Sequence, residues 1–559
     1  MSGLPQPPHH AGSALRGLRI PRGASASSPP AAARRVASHA LLALHLALPP
    51  VVGAQLSSSS WWPKFQRDLQ NTGYVSAWGL AGDPHVRWAV RLSAPLTGEN
   101  HATPVFSPDN ARLYVGGPAS TLSAIRASDG VRAWTRQLGD GTGHIFHTAA
   151  VAADGSIYVG SWDNVAPYDG FCKVRDNGAT ATVVWTFPLR RVLASPTITA
   201  DGLIIVGGLH TTDGWAYYAL RDLGPNYVVA WSAGRRANPS DPNSTGNVGS
   251  SPAISPDGAW VYGGSDQNRC FWKIATSTGA EHARLLLREY LWAPAPAVAD
   301  TGHVFVGEGL SYASPNDDTQ GKLFAIRPDA AGATGVLESL ALRSGHLNGG
   351  IAALRRAEDG QLRLYVAANG QGKPNAQLIA VRFDPDAPSQ APPQPAFVRE
   401  WASNVGPSAF SYPAAVVTRD AVIYVVGPAD HTLYALRDAG GSARTLWSLP
   451  LASVSRVTAW QPVNQRGPQG AVVGPNGRIY WNAPDGYLYA LNGWRSGDLD
   501  GNELVNADDL AWLQRAVDDR AAYELSFPEI DLSRYGDLNG DAVVDAADVT
   551  RLEALLALP

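Results

Sequence analysis

Residues 113–134 read Leu113-Tyr-Val-Gly-Gly-Pro-Ala-Ser-Thr-Leu122-Ser-Ala-Ile-Arg-Ala-Ser-Asp129-Gly130-Val-Arg-Ala-Trp134. Two short runs of β-forming residues flank a Gly-Gly-Pro turn. An Asp-Gly turn follows, and a third run closes on tryptophan. Such runs, bounded by Gly, Pro and Asp, are strands in hairpins. The phrase recurs. Its first strand returns as Ile157-Tyr-Val-Gly160, Ile204-Ile-Val-Gly207, Val261-Tyr-Gly-Gly264, Val304-Phe-Val-Gly307, Leu364-Tyr-Val-Ala367, Ile423-Tyr-Val-Val426 and Ile479-Tyr-Trp-Asn482. Trp185, Trp231, Trp401 and Trp447 end further copies. The eight copies step by about 52 residues on average, close to the ~40–50-residue period of a β-propeller. The eighth copy reaches Trp494 without a last strand, whereas Val86-Arg-Trp-Ala-Val90 precedes the first copy. If this early strand completes the last blade, the ring is tied shut and an exposed sheet edge disappears. The expected fold is mainly β, an eight-bladed propeller with seven blades as the alternative. Long insertions at 311–321 and 383–398 are expected as loops on one rim.

Composition agrees. The chain has 559 residues, 57 Gly and 42 Pro, with 45% hydrophobic and 16% charged residues. That apolar fraction excludes disorder, and the abundance of turn residues argues against a helical bundle. No uncharged apolar run reaches the ~18 residues of a membrane span. The middle of the chain has no basic stripe, and only five lysines occur in the whole sequence, so nucleic acid is not an expected partner. Cys172 and Cys270 form neither a metal pair nor a disulfide framework and read as small buried hydrophobes. Residues 1–54 hold five Arg and no acid. The apolar run 40–48 and the small residues Val52-Gly53-Ala54 then read as a secretory signal peptide, with an organelle transit peptide as the alternative. Asn243-Ser244-Thr245 is a glycosylation sequon in a eukaryotic secretory route.

The segment Trp62-Pro-Lys-Phe65-Gln-Arg67-Asp68-Leu-Gln-Asn-Thr72-Gly73, with the repeats after it, resembles the pyrroloquinoline-quinone-like repeat propellers. The resemblance covers most of residues 61–494. It implies either a quinone-dependent alcohol or sugar dehydrogenase or a non-catalytic member of the family. A dehydrogenase needs a flat aromatic pocket for the quinone, a calcium ion beside it and a carboxylate base. Asp163, Asp266, Glu308 and Trp292 are isolated candidates whose spacing does not set them apart from ordinary blade residues. The vicinal Cys-Cys pair of several alcohol dehydrogenases is missing. His144 and His147 read as structural. No nucleophile elbow, phosphate loop or HExxH occurs. The expectation is therefore a binding or scaffold propeller.

The tail carries a different signal. Residues 498–559 contain fifteen acidic and four basic residues. Gly497-Asp498-Leu-Asp500-Gly-Asn502-Glu-Leu504-Val-Asn506-Ala-Asp-Asp509 aligns with Gly536-Asp537-Leu-Asn539-Gly-Asp541-Ala-Val543-Val-Asp545-Ala-Ala-Asp548. Oxygen side chains fall at loop positions 1, 3, 5, 9 and 12 in both, the pattern of an EF-hand calcium loop. The expected ligands are Asp498, Asp500, Asn502, Asn506 and Asp509, then Asp537, Asn539, Asp541, Asp545 and Asp548. Leu504 and Val543 add main-chain carbonyls at position 7. A helix should follow each loop, burying Leu510 and Leu513 in the first and Val549, Leu552, Leu555 and Leu556 in the second.

This pair resembles a type I dockerin, which implies two calcium ions and a protein partner of the cohesin kind. By resemblance it also implies a polysaccharide-processing context. Two features depart from that pattern. Position 6, usually Gly, is Glu503 and Ala542, with the first loop expected to suffer more. Positions 10 and 11 are Ala507-Asp508 and Ala546-Ala547, without hydroxyls. The domains expected are a leader at 1–54, a propeller at 55–494 and a calcium-binding module at 495–559. The rivals are a quinone-dependent dehydrogenase, a polysaccharide-cleaving propeller carried by its dockerin, and a tail that serves only as an intramolecular calcium clip.

Overall fold

The computed structural model describes residues 54–558 except 94–101, 140, 142, 146, 163–169, 212–213, 235–247, 266–269, 288–294, 309–320, 348, 357–358, 371–372, 410–413 and 458–469. The signal-peptide reading and the sequon lie outside these residues. Eight sheets occur among them, antiparallel except where Tyr74–Val75 pairs in parallel with Val416–Thr418. Blades 1 to 7 span 105–137, 150–187, 197–233, 253–286, 297–341, 352–407 and 416–450. Blade 8 takes three strands from Ala471–Val473, Ile479–Asn482 and Tyr487–Asn492 and its outermost from His85–Arg91. The ring is thus closed by the early strand, as expected, and the blade count is eight. The flanking chain prolongs this closure: Leu80 bridges Arg495, and the Ala81 and Gly82 amides donate to the Trp494 carbonyl.

The tryptophans act between blades. Within a blade, the outer-strand Trp packs on the Tyr of the second strand, with ring centroids 5.9 Å apart for Tyr114–Trp134, 5.8 Å for Tyr158–Trp185 and 6.1 Å for Tyr365–Trp401. Both side chains then reach the following blade. Trp185 Nε1–H and Tyr158 O–H donate to the two oxygens of Asp222, at 3.0 and 2.7 Å. Trp134 and Tyr114 do the same on Asp176, and Trp401 and Tyr365 on Asp438. Trp88 of the closing strand donates to the Ala127 carbonyl of blade 1. The strand that completes blade 8 therefore also brings the tryptophan that the eighth copy lacks.

The segment 61–73 runs along the inner strands. The carbonyls of Trp62, Pro63, Leu69, Gln70, Thr72 and Gly73 accept amides of Phe106, Val151, Ile254, Val298, Ala353 and Val417. These belong to the first strands of blades 1, 2, 4, 5, 6 and 7. Trp61 Nε1–H reaches the Val473 carbonyl of blade 8 at 3.1 Å. One short segment thus pairs inner-edge amides that burial would leave without water. Inside it, buried Lys64 donates to the Phe65 and Asp68 carbonyls and to Asn71 Oδ1.

The glycines that end second strands make room for the next linker. A Cβ at Gly160 would lie 2.2 Å from Val192 Cγ1, and one at Gly307 would lie 2.4 Å from the Leu347 carbonyl oxygen. Cys172 and Cys270 are buried in blades 2 and 4, as read from sequence. Residues 383–398 join the third and fourth strands of blade 6; the insertion at 311–321 lies, but for Gly321, outside the described residues.

Candidate metal centre

After blade 8 the chain enters the duplicated loops, and a helix follows each, Ala507–Asp518 and Ala546–Leu556. Two short helices, Arg520–Ser526 and Leu532–Tyr535, lie between them. Both long helices begin in a capping box, with Asn506 and Asp545 at the N-cap and Asp509 and Asp548 at the third position. Leu513, Val549, Leu552 and Leu555 are buried in one small core, with Leu510, Leu556, Val505 and Val544 packed against it. The predicted buried faces are therefore those observed. Glu503 and Ala542 adopt left-handed backbone, at φ 65° and 70°. The turn usually built on glycine is kept in both loops, at a cost of roughly 1–2 kcal/mol each.

In the first loop, Asp498, Asp500 and Asp509 bring carboxylate oxygens within 4.8 Å of one another. Calcium sits about 2.3–2.6 Å from its oxygen ligands, so oxygens sharing one ion lie within about 5 Å. Asp498 is fully buried; the Gly501 and Glu503 amides face its carboxylate, the latter at 3.1 Å from Oδ2, and Oδ1 has no hydrogen bond of good geometry among the described residues. Asp509 accepts the Leu499 and Asn506 amides at 2.7 and 2.9 Å. Burial, together with the charges of Asp509 and Asp500, pushes the Asp498 carboxyl up to about 6. Burial likewise raises Asp509. A buried acceptor without a well-placed donor, among like charges, fits a hard cation. Asn502 is exposed and Asn506 half-buried beside these three. The Leu504 side chain is 63% exposed, as suits a residue that would serve through its main chain.

The second loop differs. Asp537 is buried, but its oxygens accept the Gly540 amide at 2.8 Å and the Ala542 amide at 3.0 Å. Arg444 of blade 7 forms an ion pair with the same carboxylate, and Arg437 donates to the Asp537 carbonyl. Asn539 donates to Asp541, Asp545 caps the helix, and Asp548 is buried on the Leu538 and Asn539 amides. The Val543 side chain is exposed.

The module is seated on the turns of blades 7 and 8. Trp78, from the segment before the closing strand, joins the module's core with Leu499, Leu538 and Leu552. Arg419 lies over the Trp78 ring at 5.9 Å and donates to the Leu555 carbonyl at 3.3 Å. Arg534 binds the Ala81 carbonyl and Asp83 at 2.9 and 2.8 Å. Arg495 holds the Glu503 and Asn476 carbonyls together. Sequence reading missed Trp78 and these arginines because they are distant in the chain and follow no spacing rule.

The other candidates stay apart from this centre. Glu308 is buried at the end of the second strand of blade 5; Asp163, Asp266 and Trp292 lie outside the described residues. His144 lies in the linker from blade 1 to blade 2, bridged to Pro118 and Trp162. Two clefts lie on the described surface of the propeller. One, of about 670 Å³, lies between blades 1 and 2 and is lined by Asp109, Arg112, Tyr114, Asp154, Arg175 and Asp176. The other, of about 300 Å³, is lined by Arg355, Phe383 and Asp386 among others. Among the described residues each of these two clefts has a single aromatic ring, Tyr114 in one and Phe383 in the other.

No known family profile matches the chain. A xyloglucanase of a Paenibacillus species is 34% identical over 97 residues, which is 17% of this chain and 9% of that protein. The match spans less than a tenth of the relative's length. Among solved structures, the quinohemoprotein alcohol dehydrogenase of Comamonas testosteroni is similar with a TM-score of 0.52 and 13% identity, over 89% of this chain and 95% of that one. A europium-containing methanol dehydrogenase gives a TM-score of 0.52 and 11% identity, over 89% and 96%. At these identities the likeness shows the shared propeller fold.

Proposed function

We propose that this chain is an exported, non-catalytic recognition propeller whose C-terminal module binds calcium through the loop Asp498–Asp509. The ion orders that loop, and the ordered module presents its exposed helix residues, including Ala507, Asp508, Ala546 and Ala547, to a protein partner. The observation that carries this reading is the buried Asp498 Oδ1, without a hydrogen bond of good geometry among the described residues, beside Asp500 and Asp509. The basic-then-apolar leader supports export. The xyloglucanase match supports a polysaccharide-processing setting, in which the propeller recognises material rather than cleaving it. The contacts of the module with the turns of blades 7 and 8 support a clip role beside the docking role. The quinone-dependent reading rests on Asp163, Asp266 and Trp292, which lie outside the described residues, and on fold likeness.

The test uses the immobilised full chain, exposed to secreted proteins of the source organism in calcium and in chelator. The expected result is a partner retained in calcium, released by chelator and missing with Asp498→Asn. No calcium-dependent partner, from a chain shown to bind the ion, contradicts the docking role.

A further inference from the structure

The two loops match in sequence but not in surroundings. In the first, a ligand carboxylate keeps a buried oxygen without a well-placed donor. In the second, the equivalent carboxylate, Asp537, accepts two amides and pairs with a guanidinium. We infer that Arg444 stands in for a cation in the second loop, so that the module takes one calcium ion and one arginine from blade 7. This inference rests on the proposed calcium role of the first loop.

The charges support the exchange. Arg444 is one-third exposed and Asp537 fully buried, so the guanidinium enters the module from the propeller side. Arg437 lies behind it, fully buried, with Asp420 at 3.6 Å. One arginine thus answers Asp420 and the other answers Asp537. The loop apex is held in place, since a Cβ at Gly540 would lie 2.9 Å from Ala439 Cβ on the blade 7 turn. An arriving calcium ion would have to displace Arg444 from Asp537 and then sit beside the positive charge of Arg437, an unfavourable exchange. The first loop also faces an arginine, but Arg495 spends its donors on the Glu503 and Asn476 carbonyls, neither of which is a ligand. Arginine is suited to the part because it is always charged and presents several donors to a carboxylate.

The experiment counts calcium ions bound per full chain by equilibrium dialysis, with calcium alone as the probe. The wild type should take one ion, Asp498→Asn none, Arg444→Lys one, and Arg444→Gln two, the second more weakly because Arg437 remains. Two ions in the wild type, or one ion retained by Asp498→Asn, overturns the inference. So does an Arg444→Gln chain that folds and takes no more than the wild type. The Asp498→Asn count leaves Arg444 in place, so it decides even where Arg444→Gln fails to fold. A wild type that takes none while Arg444→Gln takes one would remove the first-loop reading and leave the arginine exchange standing.

Discussion

Chelating calcium should destabilise the whole chain, propeller included. A ligand that binds only the folded state contributes about 2.7 kcal/mol at one hundred times its dissociation constant and about 4.1 kcal/mol at one thousand times. In this chain that energy reaches the ring. The first loop starts a few residues after the strand Tyr487–Asn492 that closes blade 8. The loop's core includes Trp78, which lies just before the other closing strand. Without the ion, Asp498, Asp500 and Asp509 repel, and burial of Asp498 goes uncompensated. The urea midpoint, followed by tryptophan fluorescence and by far-ultraviolet circular dichroism, should fall in chelator by both probes. Asp498→Asn should sit at the chelated value with or without calcium. A midpoint indifferent to calcium would mean that the loop does not bind it or that the module does not brace the ring.

The second large effect belongs to the joint between blades 2 and 3. Asp222 accepts from Trp185, Tyr158, Lys173 and the Gly224 amide. Lys173 is 2% exposed and Asp222 6%. Asp222→Ala would leave a buried ammonium, an indole N–H and a phenol without their acceptor, a loss of about 3–5 kcal/mol. Asp222→Asn keeps one acceptor oxygen and should cost less. The same carboxylate sets an acid limit. Its burial opposes ionisation, but hydrogen bonds from Lys173, Trp185 and Tyr158 outweigh that and hold it below its ordinary value of 3.8. A carboxyl depressed by folding contributes fully above its unfolded value and loses the contribution as pH falls through the folded one. The wild type should therefore shed this stabilisation below pH 3.8, and Asp222→Ala should show a flatter acid limb in the same window. Equal urea midpoints for wild type and Asp222→Ala at pH 7 would contradict the joint.

The ring was readable because each blade repeats local chemistry. A Tyr in the second strand, a Gly where the next linker crosses and a closing Trp recur at one period, and closure by residues 86–90 followed from a missing strand. The acceptors for those tryptophans were written as plainly but went unread. Arg175-Asp176-Asn-Gly178, Arg221-Asp222-Leu-Gly224 and Arg437-Asp438-Ala-Gly440 place an Asp at one phase of three blades. Each serves the preceding blade, and a contact across a blade boundary leaves no mark in the periodicity of a single strand. The two loop–helix units were legible through their duplication. Their different surroundings were not, because Arg444, which pairs with Asp537, lies about ninety residues earlier in the chain. At position 6, Glu503 and Ala542 take the same left-handed turn.

The most direct measurement is a calorimetric calcium titration of the full chain beside Asp498→Asn. A saturable heat in the wild type that disappears in Asp498→Asn is the predicted result. No heat in the wild type, or an undiminished heat in Asp498→Asn, would contradict a calcium site built on Asp498, Asp500 and Asp509.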